Sequence, residues 1–309
     1  MQHNLNFVVM QYCFWYLFVI YFHLIRKVAV GVMDTDLHFL LANFFTHKDF
    51  LPPASQIPGT LFTPLHFAFS AALLMMIAVL SSGLASNPHK IKPVFTRIWI
   101  VAVIFEIVII AYDNLAGAST TFDFQTSLSL YPCSLFLYCL PFIIWGRGIW
   151  KDMAYGYMCT VGALGGFVNF IYPGIRLASY SCISFAGFHT FFFHGAMVFV
   201  YLTIMNAGLF TYKIENFKSV LVPCIPVFML SVPANVMNYM FDCDYMFFRG
   251  QLPLFAFIFG GLNEIVITLI VYCVYLMLPT LFFILFGEIL PRMLGLGRLK
   301  DKITSRLVV

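Results

Sequence analysis

Residues 184–206 read SFAGFHTFFFHGAMVFVYLTIMN. The stretch contains no Lys, Arg, Asp or Glu, and it is long enough to cross a bilayer, which takes about 20 apolar residues. It also carries two histidines. His194 lies ten residues in, directly behind Phe191, Phe192 and Phe193. Ionisable side chains inside a bilayer are costly and usually face the protein interior, so an intramembrane histidine suggests a site as well as a span.

The rest of the chain has the same character. Its 309 residues are 61% hydrophobic and 10% charged, with a mean hydropathy of +0.91. Soluble domains carry about 25% charged residues, so the composition specifies an all-α polytopic membrane protein. Phe alone contributes 37 residues, which supply intramembrane packing and imply no cofactor. A net charge of +4, spread along the chain, is a topology signal and offers no nucleic-acid patch. The eight cysteines lie mostly in apolar stretches. Without CxxC pairs or Cys/His spacing they indicate neither a disulfide framework nor a metal site.

Eight apolar segments emerge, at about 5–25, 61–82, 97–113, 128–146, 153–171, 184–207, 218–240 and 254–287, each near the length a span requires. The expectation is a bundle of seven to eight transmembrane helices. Residues 1–55 form an N-terminal segment with one span and a loop, residues 56–290 the bundle that carries the site, and residues 291–309 a basic tail. The first segment is too long for a secretory h-region and has its Arg and Lys after it, not before. With the N-terminus in the cytoplasm, Lys90, Lys92, Arg97, Arg147, Lys151, Lys213, Lys218 and the tail cations Arg292, Arg298, Lys300, Lys302 and Arg306 fall on that side. Arg26, Lys27, Lys48, Arg176 and Arg249 fall on the other. The bias places both termini in the cytoplasm.

This topology gathers polar residues into the half of the membrane away from the cytoplasm. His66, Cys133, His189 and His194 enter from that face, Glu106 stands near mid-depth, and Asn238, Tyr239 and Glu264 lie on the last two spans. At 1.5 Å per residue these groups lie within about 15 Å of the face. Each has an ordinary alternative. An intramembrane cysteine such as Cys133 is most often a small hydrophobe. His66 and His189 could be hydrogen-bond partners between helices, Glu106 and Glu264 protonated structural donors, and Asn238 interhelical glue. Only the clustering argues for a cavity.

Three short motifs carry a family resemblance. Tyr131-Pro132-Cys133-Ser134, Phe193-His194-Gly195-Ala196-Met197 with Tyr201-Leu202, and Asn238-Tyr239-Met240-Phe241 resemble elements of the transmembrane protein 164 family and its bacterial integral-membrane relatives, over about residues 60–285. Ser134 stands where animal members are expected to have His. Val198-Phe199-Val200 lacks the proline expected between Met197 and Tyr201.

The resemblance implies an acyltransferase of ether phospholipid remodelling that works without acyl-CoA, with Cys133 and His194 as its catalytic pair. His194 would take the thiol proton as Cys133 attacks the sn-2 ester of a phospholipid donor. A thioester would then pass the acyl chain to a lysophospholipid acceptor. His66, Asn238, Tyr239 and Tyr131 are candidate oxyanion donors, and His66 or His189 could support the base in place of the missing histidine. No cofactor is implied, and an endoplasmic reticulum or other endomembrane location is expected. Two other functions compete: an intramembrane lipid ester hydrolase, with water as acceptor, and a small-molecule transporter, which would need polar residues through both leaflets.

Overall fold

The computed structural model describes residues 33–119, 121–210, 217–250 and 261–282. The expected first span at 5–25 and the basic tail lie outside these residues. Within them the chain is helical, without strands. In order come α1 (Met33–Ala42), α2 (Pro64–Ala85), α3 (Pro88–Leu115), the single turn α4 (Phe124–Ser127) and α5 (Leu135–Trp145). Next are α6 (Ile149–Tyr157) and α7 (Ala163–Ile171), joined through a π-turn at Met158–Gly162, and the short α8 (Gly174–Leu177). Then follow α9 (Phe185–Asn206), the short α10 (Phe217–Leu221), α11 (Ile225–Phe241) and α12 (Glu264–Phe282).

Local chemistry sets the helix starts. Before α2, the Thr63 hydroxyl accepts the His66 N–H at 3.3 Å. Before α9, the Ser184 hydroxyl accepts the Gly187 N–H at 3.1 Å. Each satisfies one of the donors that a helix N-terminus leaves orphaned. Pro64 and Pro88 open α2 and α3, where the missing N–H costs nothing.

Six helical stretches among the described residues are long and apolar enough to cross a membrane: 64–85, 88–115, 149–177, 185–206, 218–241 and 264–282. The expected seven to eight is therefore slightly high. The difference lies in the first segment, which is outside the described residues, and in the fourth, 128–146. Only its second part is helical, as the 11-residue α5, about 16 Å long. The chain reaches α5 through a non-helical approach and a turn at 132–134, and the helix ends at Gly146. A Cβ there would stand 2.3 Å from the Phe142 carbonyl oxygen. Conversely, the third segment extends well beyond 97–113 into a 28-residue helix that absorbs Pro93 near its start.

Helix α9 is the axis of the bundle. Some 61% of its apolar window is buried, against 17% for α2 and for α3. It packs most extensively on α2, then on α7, with α3 and the π-turn completing its surroundings. Gly166 of α7 permits the closest approach. A Cβ there would meet Val198 Cγ2 at 2.9 Å and the His194 carbonyl oxygen at 3.3 Å. Small residues at such crossings let backbones come together where no hydrophobic force drives helices to associate.

The loops at one end of the bundle fold onto each other. Leu61 N–H donates to Leu177, Cys182 N–H to Gly59 and Phe185 N–H to Phe44. Ala118 N–H donates to Asp49 at 2.9 Å and holds that carboxyl below its usual range. Arg176 binds Asp113 through two hydrogen bonds of 2.7 and 2.5 Å, with both side chains largely buried. A cavity of about 500 Å³ opens here, with Asp49, Asp113, Asp123, Arg176 and Asp242 on its walls. Removing one partner of a buried pair leaves an uncompensated charge, at a cost of about 3–5 kcal/mol. Arg176→Met should therefore lower the thermal midpoint of the purified protein in detergent sharply. The double variant Asp113→Leu/Arg176→Met should recover much of that loss. A double variant no more stable than the single would contradict the pairing.

Candidate functional site

Cys133 follows Pro132 in the turn that leads into α5, one residue before Ser134 at the N-cap position, whose side chain makes no capping bond. The turn is fixed by the Ser134 N–H, which donates to the Tyr131 carbonyl at 2.9 Å. From α6, the buried Tyr157 hydroxyl donates to the Pro132 carbonyl at 2.7 Å. Just before the turn, Tyr138 of α5 donates to the Ser129 carbonyl at 3.2 Å. The Cys133 and Ser134 N–H groups lie close to the Cys133 sulfur. The sulfur therefore sits at the positive end of α5, where developing negative charge is favoured.

Cys133 also lines a cavity of about 230 Å³ with Pro132, Leu164, Gly165, Val168, Phe247, Ile270, Val274 and Leu278. Its walls come from the π-turn and α7 on one side and α12 on the other. Almost every lining group is apolar. Such a cleft would take a hydrocarbon chain and would repel a charged one.

His194 is buried on α9, and its Nδ1 lies 2.8 Å from the Thr190 carbonyl oxygen one turn earlier. A carbonyl only accepts, so Nδ1 carries the proton. The other nitrogen, Nε2, is then an unprotonated acceptor, and it is buried without a hydrogen-bond partner. A fixed tautomer with a bare Nε2 is what a general base requires. No hydrogen bond joins the His194 ring to Cys133. Their helices meet nearby, where the rings of Phe193 and Phe136 stack edge-on, centroids 5.5 Å apart.

Glu106 lies within electrostatic reach of Cys133 and of His194. One carboxylate oxygen lies 3.2 Å from His189 Nε2, off the axis of a proper hydrogen bond. The other accepts the Ser129 hydroxyl. Of the residues that sequence nominates, the structure sets Glu106 against His189, with Cys133 and His194 within electrostatic reach of that carboxylate.

The remaining nominees are engaged elsewhere. His66 is fully buried among Phe67 and Phe191, and its Nδ1 accepts the Phe62 N–H at 3.3 Å. Its ring packs on Phe191 of a separate apolar cluster around Ile77 and Phe170, and its Nε2, like that of His194, is buried without a hydrogen-bond partner. Asn238 spends its side chain on the backbone of Tyr245, accepting its N–H at 2.7 Å and donating to its carbonyl at 3.0 Å. Tyr239 is 93% exposed on the outside of the bundle. The Tyr131 hydroxyl bonds Gln125, and its ring packs on Tyr245 and Phe247. Glu264 pairs with Arg249 at the end of α12, its side chain 59% exposed. Spacing along the chain sets depth but not the face of the helix, and these residues share the depth of the site without facing it.

Other participants were not anticipated from sequence: Ser129, the Thr190 carbonyl and the wall of the apolar cleft. For the close approach of α7 to α9 a signal did exist. Gly162-x-x-x-Gly166 is the small-residue spacing of close transmembrane crossings. Among the described residues, no group of three or more His, Cys, Asp and Glu side chains could hold a metal ion.

The profile of the TMEM164 family matches residues 61–286. The chain belongs to the TMEM164 family. No curated protein and no solved structure matches it. Within this TMEM164 family chain the matched region holds all four clustered residues and the whole of the apolar cleft.

The glycines of α7 provide a test of this packing. Gly166→Ala should destabilise the protein by about 1–3 kcal/mol, because the methyl has no room against α9. Gly165→Ala meets nothing nearer than Met197 Cε at 3.9 Å and should shift stability by less than about 1 kcal/mol. Thermal unfolding in one detergent compares the two. Equal effects would sink the proposed crossing.

Proposed function

We propose that this protein is a membrane-embedded acyltransferase that moves a fatty acyl chain from a phospholipid to a lysophospholipid through a thioester on Cys133. The observation that carries the reading is the pairing of chemistries around one sulfur. Cys133 faces a cleft fit for a hydrocarbon chain, and the buried, tautomer-fixed His194 stands on an adjoining helix. Family membership, and the resemblance implied by the Pro132-Cys133 and His194 motifs, favour the same pair.

In the first half-reaction Sγ attacks the sn-2 carbonyl carbon, and its proton passes to His194 Nε2. The resulting oxyanion would lie near the N-terminus of α5, where the Cys133 N–H, which has no backbone acceptor among the described residues, can donate to it. Single donors of this kind are worth about 3 kcal/mol. The tetrahedral centre collapses, the ester C–O bond breaks, and the departing lysolipid oxygen takes the proton back from His194. The acyl chain remains as a thioester. In the second half-reaction the hydroxyl of a lysophospholipid gives its proton to Nε2 and attacks the thioester, and the thiol is restored. Splitting one displacement into two is the advantage of covalent catalysis. We place this chemistry in an endomembrane such as the endoplasmic reticulum. The loop-capped end would face away from the cytoplasm, and the C-terminus would lie within it.

Incubation with a phospholipid carrying a labelled sn-2 chain, followed by mass spectrometry, should find the acyl adduct on Cys133. The adduct should be absent in Cys133→Ala and at least about a hundredfold slower to form in His194→Gln. Gly165→Leu, which narrows the cleft, should shift the preference toward shorter chains. Label appearing only as free fatty acid would make the protein a hydrolase. Lipid turnover at the native rate in both Cys133→Ala and His194→Gln would overturn the covalent mechanism.

A further inference from the structure

Glu106 links the segment leading into Cys133 to the helix that carries His194. Its Oε1 accepts the hydroxyl of Ser129, four residues before Cys133 on the non-helical approach to α5. Its Oε2 lies 3.2 Å from Nε2 of His189, five residues before His194 on α9. The carboxylate is largely enclosed, with 17% of its side chain exposed and 11% of His189. An enclosed carboxylate inside a membrane bundle is costly. Arg176 acts on this one only from a distance, its own guanidinium being bound to Asp113, and helix capping does not account for it.

We propose that Glu106 is a positioning residue, a clamp that sets the distance and angle between Cys133 and His194 by holding Ser129 and His189 at once. The proposal rests on the Cys133–His194 reading. Three independently placed elements meet at the carboxylate: α3 supplies Glu106, the approach to α5 supplies Ser129, and α9 supplies His189. The turn at Cys133 has fixed contacts to α6 through Tyr157 and to its own helix through Tyr138. Ser129–Glu106–His189 is the polar tie that joins this turn to the helix of the base. No direct hydrogen bond joins thiol and imidazole, so their approach is set by the parts that carry them. A misplacement of about 1 Å is enough to cost a hundredfold in rate.

The test measures the rate of Cys133 acylation by a labelled diacyl phospholipid in mixed micelles. Rates are normalised to folded protein from thermal unfolding and size-exclusion profiles. Glu106→Leu should slow acylation by at least about tenfold. Glu106→Gln can still accept from Ser129 and reach His189, and should stay within about threefold of the native rate. Ser129→Ala should cost about threefold alone and nothing more on the Glu106→Leu background, because the two then remove one shared contact.

A native rate in Glu106→Leu overturns the clamp. So does a Glu106→Gln variant as slow as Glu106→Leu, which would assign the effect to charge. Should Glu106→Leu not fold, Ser129→Ala decides, and a native rate in that variant overturns the proposal. Turnover of the same labelled phospholipid is followed in parallel for Cys133→Ala, His194→Gln, Glu106→Leu and Ser129→Ala. If Cys133→Ala and His194→Gln keep native lipid turnover, the catalytic pair itself falls. If they lose it while Glu106→Leu and Ser129→Ala do not, only the clamp falls.

Discussion

Helix α9 has neighbours on nearly every side, and this enclosure governs much of the molecule. A helix facing lipid can carry only apolar side chains. A helix wrapped by α2, α3, α7 and the π-turn can carry His189, Thr190, His194 and Thr203, provided each is accommodated by protein. The enclosure needs close packing, which Gly166 supplies where α7 crosses the His194 backbone. Helix α7 also supplies Leu164, Gly165 and Val168 to the apolar cleft that it shares with α12 and that reaches Cys133. Packing and the candidate site are therefore set by one arrangement of helices.

The polar residues along α9 follow two regimes. His194 turns one nitrogen to its own backbone and leaves the other bare. His189 meets a carboxylate from α3. The first arrangement keeps an acceptor available in a dry setting, where leaving it unmet has a real energetic cost. Unsatisfied groups of this kind are uncommon in folded proteins, and they concentrate where chemistry or binding demands them. The second arrangement sets the carboxylate against an imidazole and joins it to the segment leading into Cys133.

Much of the bundle was legible in the sequence, because runs of apolar residues near bilayer length leave few alternatives. Segments 61–82, 184–207 and 218–240 lie close to the helices observed. The fourth segment misled, since hydropathy reads 128–146 as one span although Pro132 and the turn after it delay the helix to Leu135. Hydropathy also gave no sign of the π-turn at 158–162, which depends on packing against α9 and α12. In the site, Cys133, His194, His189 and Glu106 could be nominated by depth. Depth did not reveal that Tyr239 faces outward, that Asn238 is committed to the Tyr245 backbone, or that Glu264 belongs to an ion pair with Arg249. Those assignments depend on rotation about the helix axis, and spans apolar on every face carry little amphipathic signal to fix it.

The short α5 has a further consequence. A chain that enters the membrane without forming a helix exposes N–H and C=O groups where no solvent can reach them, and this is tolerated only where protein satisfies them. Around residues 124–132 three phenols take that part. Tyr157 binds the Pro132 carbonyl and Tyr138 that of Ser129. Tyr245 accepts the Leu128 N–H and donates to the Phe124 carbonyl. The rings belong to the lipid-like interior, while the hydroxyls at their tips stand in for the water an ordinary loop would have. Replacing one of these hydroxyls with hydrogen would take away the partner of the peptide group it binds.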